Sequence, residues 1–116
     1  MQPRTPGGYV LVVEDPFICR FVGGILKRAG RLAFEAEHEQ AVRMLRDADW
    51  VVSLLITNQP ARFLEFADTV PLIYIAAFPD PALANRFRHC RMLCKPFLPA
   101  ELIECAAELA PPEKPS

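Results

Sequence analysis

Apolar positions along the chain fall into two alternating kinds of segment. Short continuous apolar runs occur at 9–13, 32–36, 51–57, 71–77 and 91–94, and between them apolar residues recur every three or four positions. Continuous runs rich in Val, Ile and Leu mark strands buried on both faces of a parallel sheet. The clearest is Val51-Val52-Ser53-Leu54-Leu55-Ile56-Thr57, closed by Asn58-Gln59-Pro60. In the stretch 17–29, Ile18, Phe21, Val22, Ile25 and Leu26 keep helical spacing. Pro16 suits the first helical position there, and Gly30 the position just past the end. Further helices are predicted over 39–47, 62–68, 82–89 and 99–109. The run 32–36 is shorter and more polar, which places it nearer a sheet edge. Five strands alternating with five helices predict βαβ units with right-handed crossovers. The fold class is α/β, a doubly wound five-stranded parallel sheet with helices on both faces.

Composition narrows this only a little. With 116 residues, 52% of them hydrophobic, the chain can build one core without disulfides or metal. The domain is predicted over 9–110, with a flexible lead-in at 1–8 and a Pro-rich tail or linker start at 111–116. Formal net charge is −1, and no Lys/Arg run marks a duplex DNA or anionic membrane surface. Arg20, Lys27, Arg28, Arg86, Arg88 and Arg91 read as solvated helix faces. The longest apolar runs are strand-sized, and 1–8 has no apolar core of a secretory signal. Cys19, Cys90, Cys94 and Cys105 therefore read as reduced, buried thiols in a cytoplasmic protein, with Cys94 pointing to the core. The loose spacing of His89, Cys90 and Cys94 is not that of a zinc site.

In an open α/β sheet, chemistry gathers beyond the carboxyl ends of the strands. Glu14 and Asp15 stand there after the first strand, Asn58 after the third and Lys95 after the fifth. Asn58 is an amide, uncharged and a poor nucleophile. A crowded carboxylate pair favours a raised pKa at Glu14 or Asp15. Asn58 is expected to be hydrogen-bonded between that pair and Lys95, and Phe78 and Phe97 to flank the mouth of the site.

Four stretches resemble the receiver domain of bacterial two-component response regulators. They are Val10-Leu11-Val12-Val13-Glu14-Asp15, Leu54-Leu55-Ile56-Thr57-Asn58, Pro71-Leu72-Ile73-Tyr74-Ile75-Ala76-Ala77 and Cys94-Lys95-Pro96-Phe97. The resemblance spans about 9–109 and implies a flavodoxin-like (βα)5 fold with strand order 2-1-3-4-5. In that family the acidic pair helps hold Mg²⁺, and an aspartate ending the third strand takes a phosphoryl group from a histidine kinase. A Thr or Ser ending the fourth strand and a Lys before Pro bind the phosphoryl oxygens. Glu14, Asp15 and Lys95 match that pattern. Asn58 stands at the phosphoacceptor position, Ala76 at the hydroxyl position and Met92 at the switch aromatic. An amide cannot become a mixed anhydride, so the resemblance is to a degenerate pseudo-receiver.

The implied function is phosphorylation-independent protein–protein interaction in bacterial signal transduction or transcription control, with no enzymatic activity. No cofactor is implied beyond weak Mg²⁺ at Glu14 and Asp15. The family's interaction face, formed by the fourth helix, fifth strand and fifth helix, falls on Ala84, Asn85, Arg88, Arg91, Glu101, Glu104 and Ala107. A protein partner, an output domain or a homodimer would use it, with no direct nucleic-acid binding and no membrane. The alternative is a small-ligand or metal sensor built on the residual acidic pocket.

Overall fold

Five parallel strands form one sheet in the order β2-β1-β3-β4-β5, as the resemblance implies. They are β1 (Tyr9–Val13), β2 (Ala33–Glu35), β3 (Val52–Thr57), β4 (Leu72–Ala76) and β5 (Cys90–Cys94). The helices are α1 (Pro16–Arg28), α2 (His38–Arg46), α3 (Pro81–Ala84) and α4 (Pro99–Leu109), with a 3-10 helix at Pro60–Phe66. This computed structural model describes residues 8–111. Residues 1–7 of the predicted lead-in (1–8) and residues 112–116 of the predicted tail (111–116) lie outside the described residues. Among the described residues no helix is long and apolar enough to cross a membrane.

The alternation of side chains along each strand sorts the core into two layers. Val10, Val12, Leu54, Ile56, Ile73 and Ile75 meet α1 and α4 on one face. Leu11, Leu55, Leu72 and Tyr74 meet α2, the 3-10 helix and α3 on the other. Leu54, Leu55 and Ile56 are wholly buried, each worth about 1.5–3 kcal/mol of apolar burial. The central run is thus apolar because both of its faces are covered. β2, the shortest strand, sits at an edge with Glu35 exposed.

Two helices differ from the sequence prediction. The segment predicted as a helix over 62–68 is a 3-10 helix that starts at Pro60 and is broken at Phe63, where φ is −126° and ψ is 23°. The helix predicted over 82–89 is a single turn, α3, capped by Asp80, whose Oδ1 accepts from the Ala82 N–H at 3.0 Å. The N–H groups of Asn85, Arg86 and Phe87 still bond to the Pro81, Leu83 and Ala84 carbonyls, and from Arg88 on the backbone finds partners outside the helix. The Arg88 N–H donates to the Ala67 carbonyl at 2.9 Å, and the His89 carbonyl accepts from the Leu72 N–H at 2.9 Å. Those tertiary bonds, with Phe87 turned into the core, end the helix and start β5 at Cys90.

Gly8 leads into β1 with φ at +74°, and a Cβ there would stand 2.7 Å from the Val51 carbonyl oxygen. Gly8→Ala is expected to cost about 1–2 kcal/mol through the positive φ and the backbone clash together. Urea denaturation of the two proteins measures it.

Candidate functional site

The carboxyl ends of β1, β3, β4 and β5 converge on one side of the molecule. Val13 pairs with Thr57 at the end of the β1–β3 ladder, so Glu14 and Asn58 leave the sheet side by side. Ala76 pairs with Cys94, and the Lys95 N–H donates to the Ala76 carbonyl at 2.9 Å. Glu14, Asp15, Asn58, Ala76 and Lys95 are therefore brought together by strand length and register alone. Met92 lies two residues further back on β5, opposite Tyr74 and 42% exposed.

The two acidic residues have separate occupations. Asp15 is the N-cap of α1, its Oδ1 accepting from the Ile18 N–H at 3.0 Å, an arrangement worth about 1 kcal/mol. Glu14 has a fully buried side chain, and Lys95 Nζ donates to its two oxygens at 3.3 and 3.4 Å. The Cys19 thiol donates to the Glu14 carbonyl at 3.3 Å, holding that corner of the chain. The Glu14 carboxyl is held above its ordinary value of 4.5. Burial is the main cause, Lys95 opposes it, and the Asp15 charge adds a smaller push upward. The sequence prediction attributed such a shift to like-charge crowding; desolvation outweighs that effect here.

Asn58 does not bridge the acidic pair and Lys95 as expected. It is exposed, and its side chain makes no hydrogen bond among the described residues. The chain turns at once after β3 because buried Thr57 accepts from the Gln59 N–H through Oγ1 at 3.1 Å. Pro60 then opens the 3-10 helix. No carboxylate lies between Asp49 and Glu65, so no neighbour in this turn replaces the charge that Asn58 lacks.

Mg²⁺ takes near-octahedral oxygen donors with one or two carboxylates free to ligate. Asp15 is committed to α1, Glu14 to Lys95, and Asn58 is neutral. Among the described residues no group of three or more His, Cys, Asp or Glu could hold a metal ion. The residues present do not fit the ion.

A cavity of about 340 Å³ remains, with Glu14, Asp15 and Asn58 on one wall and Glu37, His38 and Arg62 on the other. The His38 ring stands edge-on to Phe63 at 5.0 Å. Its buried Nδ1 has no hydrogen-bond partner among the described residues. Glu37, His38 and Arg62 carry no mark in the linear pattern. Only the order β2-β1-β3 sets the end of β2 and the 3-10 helix around the end of β1, and that order was the one signal that could have found them. A separate apolar groove of about 430 Å³ opens beside Lys95, between Phe17, Ile18 and Phe21 of α1 and Pro96 and Phe97. Phe97 packs on Phe21 at 5.8 Å. Phe78, predicted to flank the mouth with Phe97, is 93% exposed and covers nothing.

The predicted interaction face is mostly exposed: Asn85, Arg88, Arg91, Glu101, Glu104 and Ala107 all face outward, and Arg91 pairs with Glu108. Ala84, the last residue of α3, is the exception and is buried against the core. Because α3 is one turn long, the side of β5 that carries Met92 and Cys94 is left uncovered. Cys94 is accordingly exposed rather than turned to the core. Burial pushes the Cys19 and Cys105 thiols up and Cys90 to about 11.

No family model and no curated protein matches this sequence. Solved structures do match. A response regulator receiver protein from Burkholderia phymatum superposes with a TM-score of 0.73 at 21% identity, over 94% of this chain and 99% of that one. A two-component response regulator from Clostridium difficile gives 0.70 at 15% identity, over 88% and 94%. NtrX from Brucella abortus, in complex with ADP, gives 0.73 at 21% identity, over 89% of this chain but 26% of NtrX. The chain has the flavodoxin-like fold of response-regulator receiver domains.

Proposed function

We propose that this chain is a pseudo-receiver, a receiver-fold domain of bacterial signal transduction or transcription control that acts by binding another protein without being phosphorylated. It has no enzymatic activity of its own. One observation carries the reading: at the strand ends, where a receiver needs a free carboxylate cluster, Asp15 caps a helix, Glu14 is paired with Lys95 and Asn58 is an amide. A partner or output domain is taken up on the face formed by α3, β5 and α4, where Asn85, Arg88 and Met92 surround a cavity of about 420 Å³.

The test is a backbone NMR titration with Mg²⁺ and then with Mg²⁺ plus beryllofluoride, a phosphoryl mimic. The resonances of Glu14, Asp15, Asn58 and Lys95 are expected to stay where they are. Saturable shifts spreading from them to α3 and β5 would overturn the reading.

A second reading, that the cavity beside Asn58 takes a small polar ligand, is favoured by the unpartnered His38 Nδ1. A panel of small polar compounds tested by the same spectra separates the two. Saturable shifts at Glu37, His38 and Arg62 and at the facing Asp15 and Asn58, produced by one compound and not by Mg²⁺, would select the ligand.

A further inference from the structure

α1 and α4 lie against the same face of the sheet and carry opposite charge. α1 holds Arg20, Lys27 and Arg28 and no acidic residue; α4 holds Glu101, Glu104 and Glu108 and no basic residue. The charges also fall on opposite edges of the pair. Arg20 and Lys27 share the side of Gly23, which abuts Glu35 of β2, by their i−3 and i+4 spacing. Glu101 and Glu104 share the side of Glu108, which pairs with Arg91 of β5. Between the two edges runs an apolar strip. Phe17 is 71% exposed, Phe21 and Ile103 are also exposed, and the groove against Phe97 opens there. Among the described residues, Arg20, Lys27, Arg28, Glu101 and Glu104 form no ion pair within the chain.

We infer that this face binds a second copy of the chain. A two-fold axis parallel to the helices lays α1 of one protomer over α4 of its partner, and the reverse. Each basic edge then meets an acidic edge, and the Phe17 and Phe21 ends of both copies meet near the axis. An axis across the helices would set like charges together, so the charge pattern selects the first arrangement. Arg20 and Glu104 lie in the second turns of their helices and come level with each other across this interface. Met92, Asn85 and Arg88 stay free for a partner of different sequence.

Sedimentation of the full chain over a range of concentrations tests this. A monomer–dimer equilibrium is expected, weakening as salt rises because the edge charges are screened. Phe17→Glu alters a side chain that is already exposed, and its circular dichroism should match the parent. It is expected to raise the dimer Kd by about tenfold or more. Arg20→Glu and Glu104→Arg should each weaken the dimer, and the double variant should recover most of the parental Kd by re-forming the pair with its signs exchanged. Met92→Glu should leave the Kd unchanged. A monomer at every concentration, a parental Kd for Phe17→Glu, or loss of the dimer with Met92→Glu would overturn the inference; the last would move self-association to the face of α3, β5 and α4.

Discussion

Lys95→Met is expected to lower the stability of the domain by about 2 kcal/mol at neutral pH and by almost nothing near pH 4. The Glu14 side chain is fully buried, and among the described residues Lys95 Nζ is its only cationic partner. Removing one member of a buried pair leaves the other charge uncompensated, which costs about 3–5 kcal/mol when both are fully desolvated. Lys95 is 30% exposed, so solvent already carries part of its charge and the cost is smaller. The sign with pH follows from Glu14. Its folded carboxyl sits above the ordinary 4.5, so between those two values the folded chain holds a proton that the unfolded chain has lost. Stability is therefore fullest below the ordinary value and falls as pH rises through the folded one. Without Lys95, which holds the carboxyl down, the folded value climbs and the fall becomes deeper. Once Glu14 is protonated, the missing ammonium no longer matters. Denaturant titrations of parent and variant across that range measure the difference directly. Adding Glu14→Gln to Lys95→Met should restore most of the loss at neutral pH. A loss independent of pH would mean that Lys95 acts through its packing.

Phe63→Ala is expected to cost about 3–5 kcal/mol, the larger of the two effects. Phe63 is 1% exposed and belongs to the core layer beneath α2 and α3. It occupies the non-helical position inside the 3-10 helix, whose short-range hydrogen bonds are weak by themselves. Its ring both anchors that helix to the sheet and supplies the edge-to-face contact with His38. Guanidinium unfolding measures the loss. Phe63→Leu, which keeps most of the volume, should lose about 1–2 kcal/mol and remains measurable if the alanine variant does not fold. A cost below about 1 kcal/mol for the alanine variant would mean that the surroundings collapse into the space.

Much of the fold is legible in the sequence. The apolar runs at 51–57 and 71–77 are strands because only a strand covered on both faces tolerates continuous Val, Ile and Leu. The period of 17–29, with Pro16 before it and Gly30 after it, became α1 with those limits almost unchanged. The site positions were legible for the same reason: Glu14, Asn58 and Lys95 are where apolar runs stop, and strand ends in a parallel sheet converge. What each residue does there was not. Asp15 became a helix cap, Glu14 became a buried partner of Lys95, and Asn58 was left exposed. Those outcomes depend on which groups the fold brings within about 3 Å.

The helices after β3 and β4 mark the boundary most clearly. The stretches 62–68 and 82–89 have apolar residues at helical spacing, yet one is a broken 3-10 helix and the other a single turn. A helix continues only while its own i→i−4 bonds outcompete every other partner of the backbone. The Ala67 carbonyl for Arg88, and the Leu72 N–H for His89, are partners that exist only once the sheet has formed. That early stop leaves Met92 and Cys94 uncovered. Sequence periodicity determined the strands, their ends and the two-layer core, because those depend on which side chains are apolar. Tertiary structure alone decided the break at Phe63 and the early stop of α3, the burial of Glu14 and the exposure of Cys94, because those depend on bonds between segments far apart in the chain.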